Sequence, residues 1–177
     1  KQTNEHTAYV FWSDWNVPSI GIRPNIVYGL ARDQGYSSKN TIAIQAAALG
    51  KSYQIPYRGN YSWLYAGEAA SAFINAVSHD MEKAKVFNLN GSCKKIEDGI
   101  SIIKHLAPDA DITCTGEPVP FPPDLDDKPL RDDIGNYPSI SLEEGINNTF
   151  KAFQVLKEQG RCPDITSADD LKVQLSV

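Results

Sequence analysis

Residues 17–29 read VPSIGIRPNIVYG, an apolar run rich in β-branched side chains and broken by Pro18 and Pro24. Valine, isoleucine and tyrosine at this density predict a strand. Proline has no N–H to give a ladder, so Pro18 and Pro24 must stand at strand ends or where no ladder bond is needed. Just upstream, Ala8, Phe11, Trp12 and Trp15 recur at helical spacing and predict a helix over residues 3–16, its aromatic stripe turned to the core. Just downstream, LARDQGYSS (30–38) reads as a loop. Ser38 is placed to cap a helix through TIAIQAAALG (41–50), which is apolar nearly all round and therefore buried, with Gly50 as its left-handed stop.

The alternation of strand and helix continues. SYQIPYRGNYSWLY (52–65) has the content of short strands around a turn at Arg58–Gly59–Asn60. An amphipathic helix follows, with Ala69, Ala70, Phe73, Ile74 and Val77 on one face. AKVFNLNG (84–91) reads as a strand, Ile96, Ile100 and Ile103 mark another helix, and ADITCTG (110–116) is a short strand. EPVPFPPDLDDKP (117–129) holds too much proline and acid for a regular element and predicts a long surface loop, a kind of segment that often carries binding residues. In SLEEGINNTFKAFQVLKEQG (141–160), Ser141 and Glu144 form a capping box for a last helix that turns Leu142, Ile146, Phe150 and Phe153 inward. Residues 161–177 form a polar tail. Strands alternating with helices argue for an α/β architecture with parallel pairing.

At 177 residues, 41% hydrophobic and 22% charged, the chain can bury one sizeable core. A net charge of -5 and a pI near 5.1 give no basic surface to neutralise phosphates, so nucleic acid is not an expected partner. No apolar run approaches the roughly 20 residues of a membrane span, and no leader pattern is visible, so no membrane partner and a cytoplasmic location are expected. Cys93, Cys114 and Cys162 are odd in number and widely spaced, which suggests neither a disulfide framework nor a metal site. The sequons at Asn60, Asn90 and Asn147 read as chance, and His6, His79 and His105 as surface or packing residues. Neither a G-x-G-x-x-G nor a G-x-x-x-x-G-K-S/T turn occurs.

Four stretches in series carry a resemblance: KQTNE (1–5), IRPNIVYG (22–29), YAGEAASAFINAV (65–77) and IGNYPSISLEEGI (134–146). In order and spacing they resemble the second half of an extended short-chain dehydrogenase/reductase of the NAD-dependent epimerase/dehydratase kind, over residues 1–160. The family has a Tyr-x-x-x-Lys motif, a strand ending R-P-x-x-V-Y-G, a helix introduced by Y-V-D-D-V-A, and a late L-G-x-x-P-x-x-S-L-E-E-G. The resemblance implies the C-terminal portion of a Rossmann-type NAD(P)-binding fold plus a small α/β substrate-binding domain, with the N-terminal glycine-rich half missing. The implied division is 1–30 for the last helix and strand of the Rossmann-like part and 31–160 for the substrate-binding subdomain, with a returning Rossmann strand and helix near 67–90.

On this resemblance Lys1 corresponds to the lysine of Tyr-x-x-x-Lys, and the chain is expected to be cut immediately ahead of it. The implied enzyme, with NAD or NADP as cofactor, is an epimerase, dehydratase or dehydrogenase acting by hydride transfer on a sugar or sugar nucleotide. Its base would be a tyrosine, whose ordinary pKa of about 10 is too high for work near neutrality. A neighbouring ammonium stabilises the phenolate and holds ribose hydroxyls, the catalytic and cofactor-binding roles implied for Lys1. The match also implies cofactor contacts from Pro24, Ile26 and Val27, and a substrate contact from Asn25. Many sugar-nucleotide members carry an asparagine where this chain has Ile26, and an arginine ahead of the Y-V-D-D segment where it has Tyr61. Arg58 and Arg131 are the remaining candidates for substrate-anion contacts. A homodimer is implied for the intact protein. The fragment alone is expected to be inactive and to bind NAD weakly, because the phosphate-cradling turn is absent. The alternative is a family member without catalysis that acts as a dinucleotide-binding or regulatory protein.

Overall fold

The structure, a computed structural model, describes residues 1–165; the expected polar tail lies outside the described residues from 166 on. The chain opens with helix α1 (Gln2–Trp15), closed by Asn16 in the left-handed conformation at φ 53°, which asparagine tolerates better than most residues. Strand β1 (Ser19–Pro24) then runs to its terminal proline, where the missing N–H costs no ladder bond. Strand β2 (Val27–Tyr28) is short. A single 3-10 turn at Tyr36–Ser38 leads into helix α2 (Lys39–Leu49). Gly50 stops it at φ 70°, its N–H returning to Ala46 and Ala47 carbonyls. Ser38 stands at the N-cap without capping through its side chain; its Oγ donates instead to the Gly35 carbonyl at 2.8 Å.

Strand β3 (Tyr53–Ile55), strand β4 (Asn60–Tyr65), helix α3 (Ala66–Val77) and strand β5 (Ala84–Leu89) follow. Strand β6 (Ser92–Lys95), helix α4 (Ile96–Leu106), strand β7 (Ile112–Cys114), helix α5 (Lys128–Ile134) and helix α6 (Leu142–Glu158) complete the described chain. Three pairs are parallel: β1 with β5, β2 with β4, and β3 with β7. β6 adds to β4 antiparallel.

Two hydrophobic cores form. The larger joins α2, α4 and α6 to Ile26, Tyr28, Ile55, Tyr61 and Trp63. The smaller lies under β1 and β5, where Leu64, Ala69, Ala72, Leu89, Leu130 and Tyr137 meet Ile20, Ile22 and Phe87.

The aromatic stripe of α1 is not core, contrary to its spacing. The helix buries no residue; Phe11 is exposed and Trp15 is 62% exposed. It packs chiefly on the β1–β5 pair, and the side that bears Phe11 and Trp15 is left exposed. Trp12 is partly covered, its Nε1 donating to the Glu82 carbonyl at 3.1 Å. The apolar face of α3 likewise leaves Phe73 and Ile74 exposed and Val77 87% exposed, while Glu68, Ala69 and Ala72 are buried.

Candidate active site

In open α/β sheets the crevice beyond the carboxyl ends of parallel strands is where ligands bind. Here that place is set by β1 and β5, in register from Ser19 opposite Ala84 to Pro24 opposite Leu89. One further ladder bond, from the Asn25 N–H to the Leu89 carbonyl at 2.9 Å, carries the pairing just past both strand ends.

Lys1 begins α1, and its carbonyl accepts from the Asn4 and Glu5 N–H groups. The first turn of the helix then meets the end of β1. Arg23 Nε donates to Glu5 Oε1 at 2.7 Å, and Nη2 to Oε2 at 2.5 Å, a bidentate pair. The guanidinium holds the Glu5 carboxyl below the usual carboxylate range. Lys1, Glu5 and Tyr9 of the helix and Gly21, Arg23 and Lys85 of the sheet share one cavity of about 440 Å³. On the other face of the sheet a second cavity, about 410 Å³, is lined by Ile20, Ile22, Phe73 and Val77. Among the described residues β1 pairs only with β5, so its second edge is open.

Residues 24–27 lie beyond this cavity. Pro24, Asn25 and Val27 are half-buried, whereas the Ile26 side chain belongs to the larger core and its carbonyl accepts from the Leu64 N–H. The Asn25 amide nitrogen donates to Asn90 Oδ1 at 2.8 Å and to the Pro122 carbonyl at 2.9 Å. Both its hydrogens are therefore engaged, and only its carbonyl oxygen can face a substrate.

Lys1 is thus brought together with β1, and Pro24–Val27 sit at the end of the same strand. Arg58 and Arg131 do not line the Lys1 cavity. Arg58 is exposed in the turn between β3 and β4. Arg131, on α5, donates to Asp127 Oδ2 and the Tyr137 carbonyl at 3.2 Å each, approaches Glu68 Oε1 at 3.4 Å, and stacks over the Tyr137 ring at 3.9 Å. Desolvation raises the buried Glu68 carboxyl above its ordinary value, against the Ile140 N–H and Arg131, which lower it. Tyr61, which stands where many relatives by resemblance carry arginine, is fully buried; its hydroxyl donates to the Ser37 carbonyl at 2.9 Å and its ring stacks on Tyr57. Sequence reasoning passed over the Glu5–Arg23 pair and Asn90. Asn90 follows β5 as Asn25 follows β1, so the strand register was the signal that could have joined them.

No protein-family model and no curated protein matches the sequence. Solved structures do match. A partial-consensus L-threonine 3-dehydrogenase superposes with a TM-score of 0.75 at 17% identity, over 87% of this chain and 54% of that one. UDP-glucose 4-epimerase from Thermotoga maritima, solved with UDP-glucose, gives 0.73 at 19%, over 89% and 52%. UDP-glucuronic acid 4-epimerase from Bacillus cereus, in complex with UDP-glucuronic acid and NAD, gives 0.72 at 20%, over 88% and 51%. The fold is that of the extended short-chain dehydrogenase/reductases of the NAD-dependent epimerase/dehydratase type. The chain spans about half the length of the solved structures it matches.

Proposed function

We propose that these residues are the substrate-side half of an NAD(P)-dependent epimerase, dehydratase or dehydrogenase whose substrate is a sugar, a sugar nucleotide or a similarly small carbinol. The observation that carries this reading is the place of Lys1 on one cavity with Gly21 and Arg23 of β1, within a fold matched by NAD-linked enzymes. On this reading the core under β1, β5, α3 and α5 is the dinucleotide side, and the core of α2, α4 and α6 is the substrate-binding subdomain.

The residues fit a nicotinamide riboside. Gly21 brings no side chain into the cavity, and Lys1 is a three-donor ammonium able to hold a ribose diol. When bound, NAD or NADP supplies the hydride acceptor. Lys1 holds the ribose and stabilises the phenolate of an upstream tyrosine, the base that takes the substrate hydroxyl proton. Pro24, Ile26 and Val27 supply the backbone wall beside the nicotinamide, and Asn25 offers its carbonyl oxygen on the substrate side. The exposed Tyr9, Val10, Phe11 and Trp15 of α1 are the surface through which a homodimer forms. The test joins the chain to its natural upstream sequence and follows NAD(H) and NADP(H) absorbance against sugars, sugar nucleotides and amino alcohols. Turnover of one class is expected; cofactor binding without turnover of any supports the non-catalytic alternative.

A further inference from the structure

Segment 117–127 crosses beyond the ends of β1 and β5 without regular structure. Between residues 118 and 123 only Val119 and Phe121 carry a backbone N–H, the other four being proline. Such a segment cannot donate its way into a ladder and can be held mainly by donors offered to its carbonyls. Two asparagines offer them. Asn25 Nδ2 donates to the Pro122 carbonyl at 2.9 Å, and Asn90 Nδ2 to the Pro123 carbonyl at 3.2 Å.

Asn90 is the centre of this arrangement. Its Oδ1 accepts from Asn25 Nδ2 and from Ser62 Oγ, each at 2.8 Å, and its Nδ2 also donates to the Gly91 carbonyl at 3.3 Å. Two donors and two acceptor sites are all that a carboxamide has, and all are used. Asn90 is 8% exposed and Ser62 is fully buried. The backbone that follows is pressed on β4, where a Cβ at Gly91 would stand 2.1 Å from the Trp63 carbonyl oxygen. The side chain therefore has a fixed base, and it ties β1, β4, β5 and the proline segment at one point. Val119, buried in the larger core, anchors one end of the segment, and Asp127, bonded by Arg131 and Tyr137, the other.

We infer that Asn90, with Asn25, is a positioning residue that fixes the proline segment as a wall of the crevice and so sets which substrates fit there. This rests on the functional reading above. In the 177-residue chain, Asn90→Ala is expected to speed limited proteolysis within residues 117–127 under native conditions by about tenfold or more, equivalent to about 1.4 kcal/mol, with α6 uncut. In the protein joined to its upstream sequence, the same variant is expected to raise KM for the best substrate about tenfold while kcat changes less than about threefold, the split that marks lost positioning. Should Asn90→Ala not fold, Asn25→Ala, which removes the bonds to Pro122 and to Asn90 Oδ1 but leaves Asn90 on Pro123, is expected to speed the same cleavage in smaller measure. Unchanged cleavage within 117–127 overturns the inference, as does unchanged KM for Asn90→Ala in an enzyme that turns over. A protein that folds and turns over no substrate in its unsubstituted form overturns the functional reading, and the substrate role of the wall falls with it.

Discussion

Tyr28, the last residue of β2, sits fully buried between Trp63, edge-on at 5.3 Å, and Tyr65 at 5.8 Å. Its hydroxyl has no hydrogen-bond partner among the described residues and lies where a Cβ on Gly145 of α6 would stand, 2.0 Å away. No side chain fits at 145 while the phenol is there. Gly145→Ala is therefore expected to destabilise by about 2–3 kcal/mol through overpacking. Tyr28→Phe, which removes an unpartnered polar group, should be neutral or stabilising. The double variant should recover part of the loss, since it removes the atom of closest approach; urea unfolding of all four chains measures the coupling. Strict additivity would contradict the packing argument. Glu68 offers a second residue-level test. Its carboxyl is raised by burial above the ordinary value of 4.5, so between the unfolded and folded values the native state binds more protons. Its stabilising contribution is whole below the unfolded value and is lost as pH rises through the folded one. The stability of the unsubstituted chain relative to Glu68→Gln should accordingly decline as pH rises above about 4, the ordinary carboxylate range. A pH-independent difference would show that Glu68 does not titrate as described.

Elements differ in how far local sequence decides them. Helix α6 is specified at its start, where Ser141 Oγ accepts from the Glu144 N–H at 3.2 Å. Ser141→Ala should cost about 1 kcal/mol and lower the thermal midpoint without altering the far-ultraviolet spectrum of the native chain. The last helix, the buried α2 with its glycine stop, and the proline at the end of β1 were legible because cap, period and missing donor act within a few residues. The direction of the α1 stripe was not. Helical spacing reports which side chains share a face and leaves open what covers it, and Phe11 and Trp15 are exposed. Helix α5 escaped notice because its seven residues are too few for a period and it begins at Lys128–Pro129 inside a proline-rich stretch. Strand β6 escaped because SCKK carries no alternating pattern, its pairing coming from β4. Lys1 and residues 24–27 entered as site candidates only through ordered motifs. Asn90 was hidden, since nothing local to N-G-S announces that a neighbouring strand ends beside it. Arg131 read as a candidate for a substrate anion, whereas Asp127 one helical turn back, Tyr137 and the distant Glu68 already engage it.

At the scale of the whole molecule there are two cores, one under β1 and β5 and the other among α2, α4 and α6, which the proposed function reads as the cofactor side and the substrate lobe. The first turns of α1 and the β1–β5 pair line the cavity of Lys1, so the account joins architecture to chemistry at that one ammonium. The most direct measurement is the pH dependence of kcat for Lys1→Ala in the protein carrying its natural upstream sequence. If the ammonium lowers the pKa of the catalytic phenol, its removal cuts kcat by about a hundredfold or more and moves the acidic limb of the profile to higher pH. A profile and rate unchanged from the unsubstituted enzyme would contradict the account.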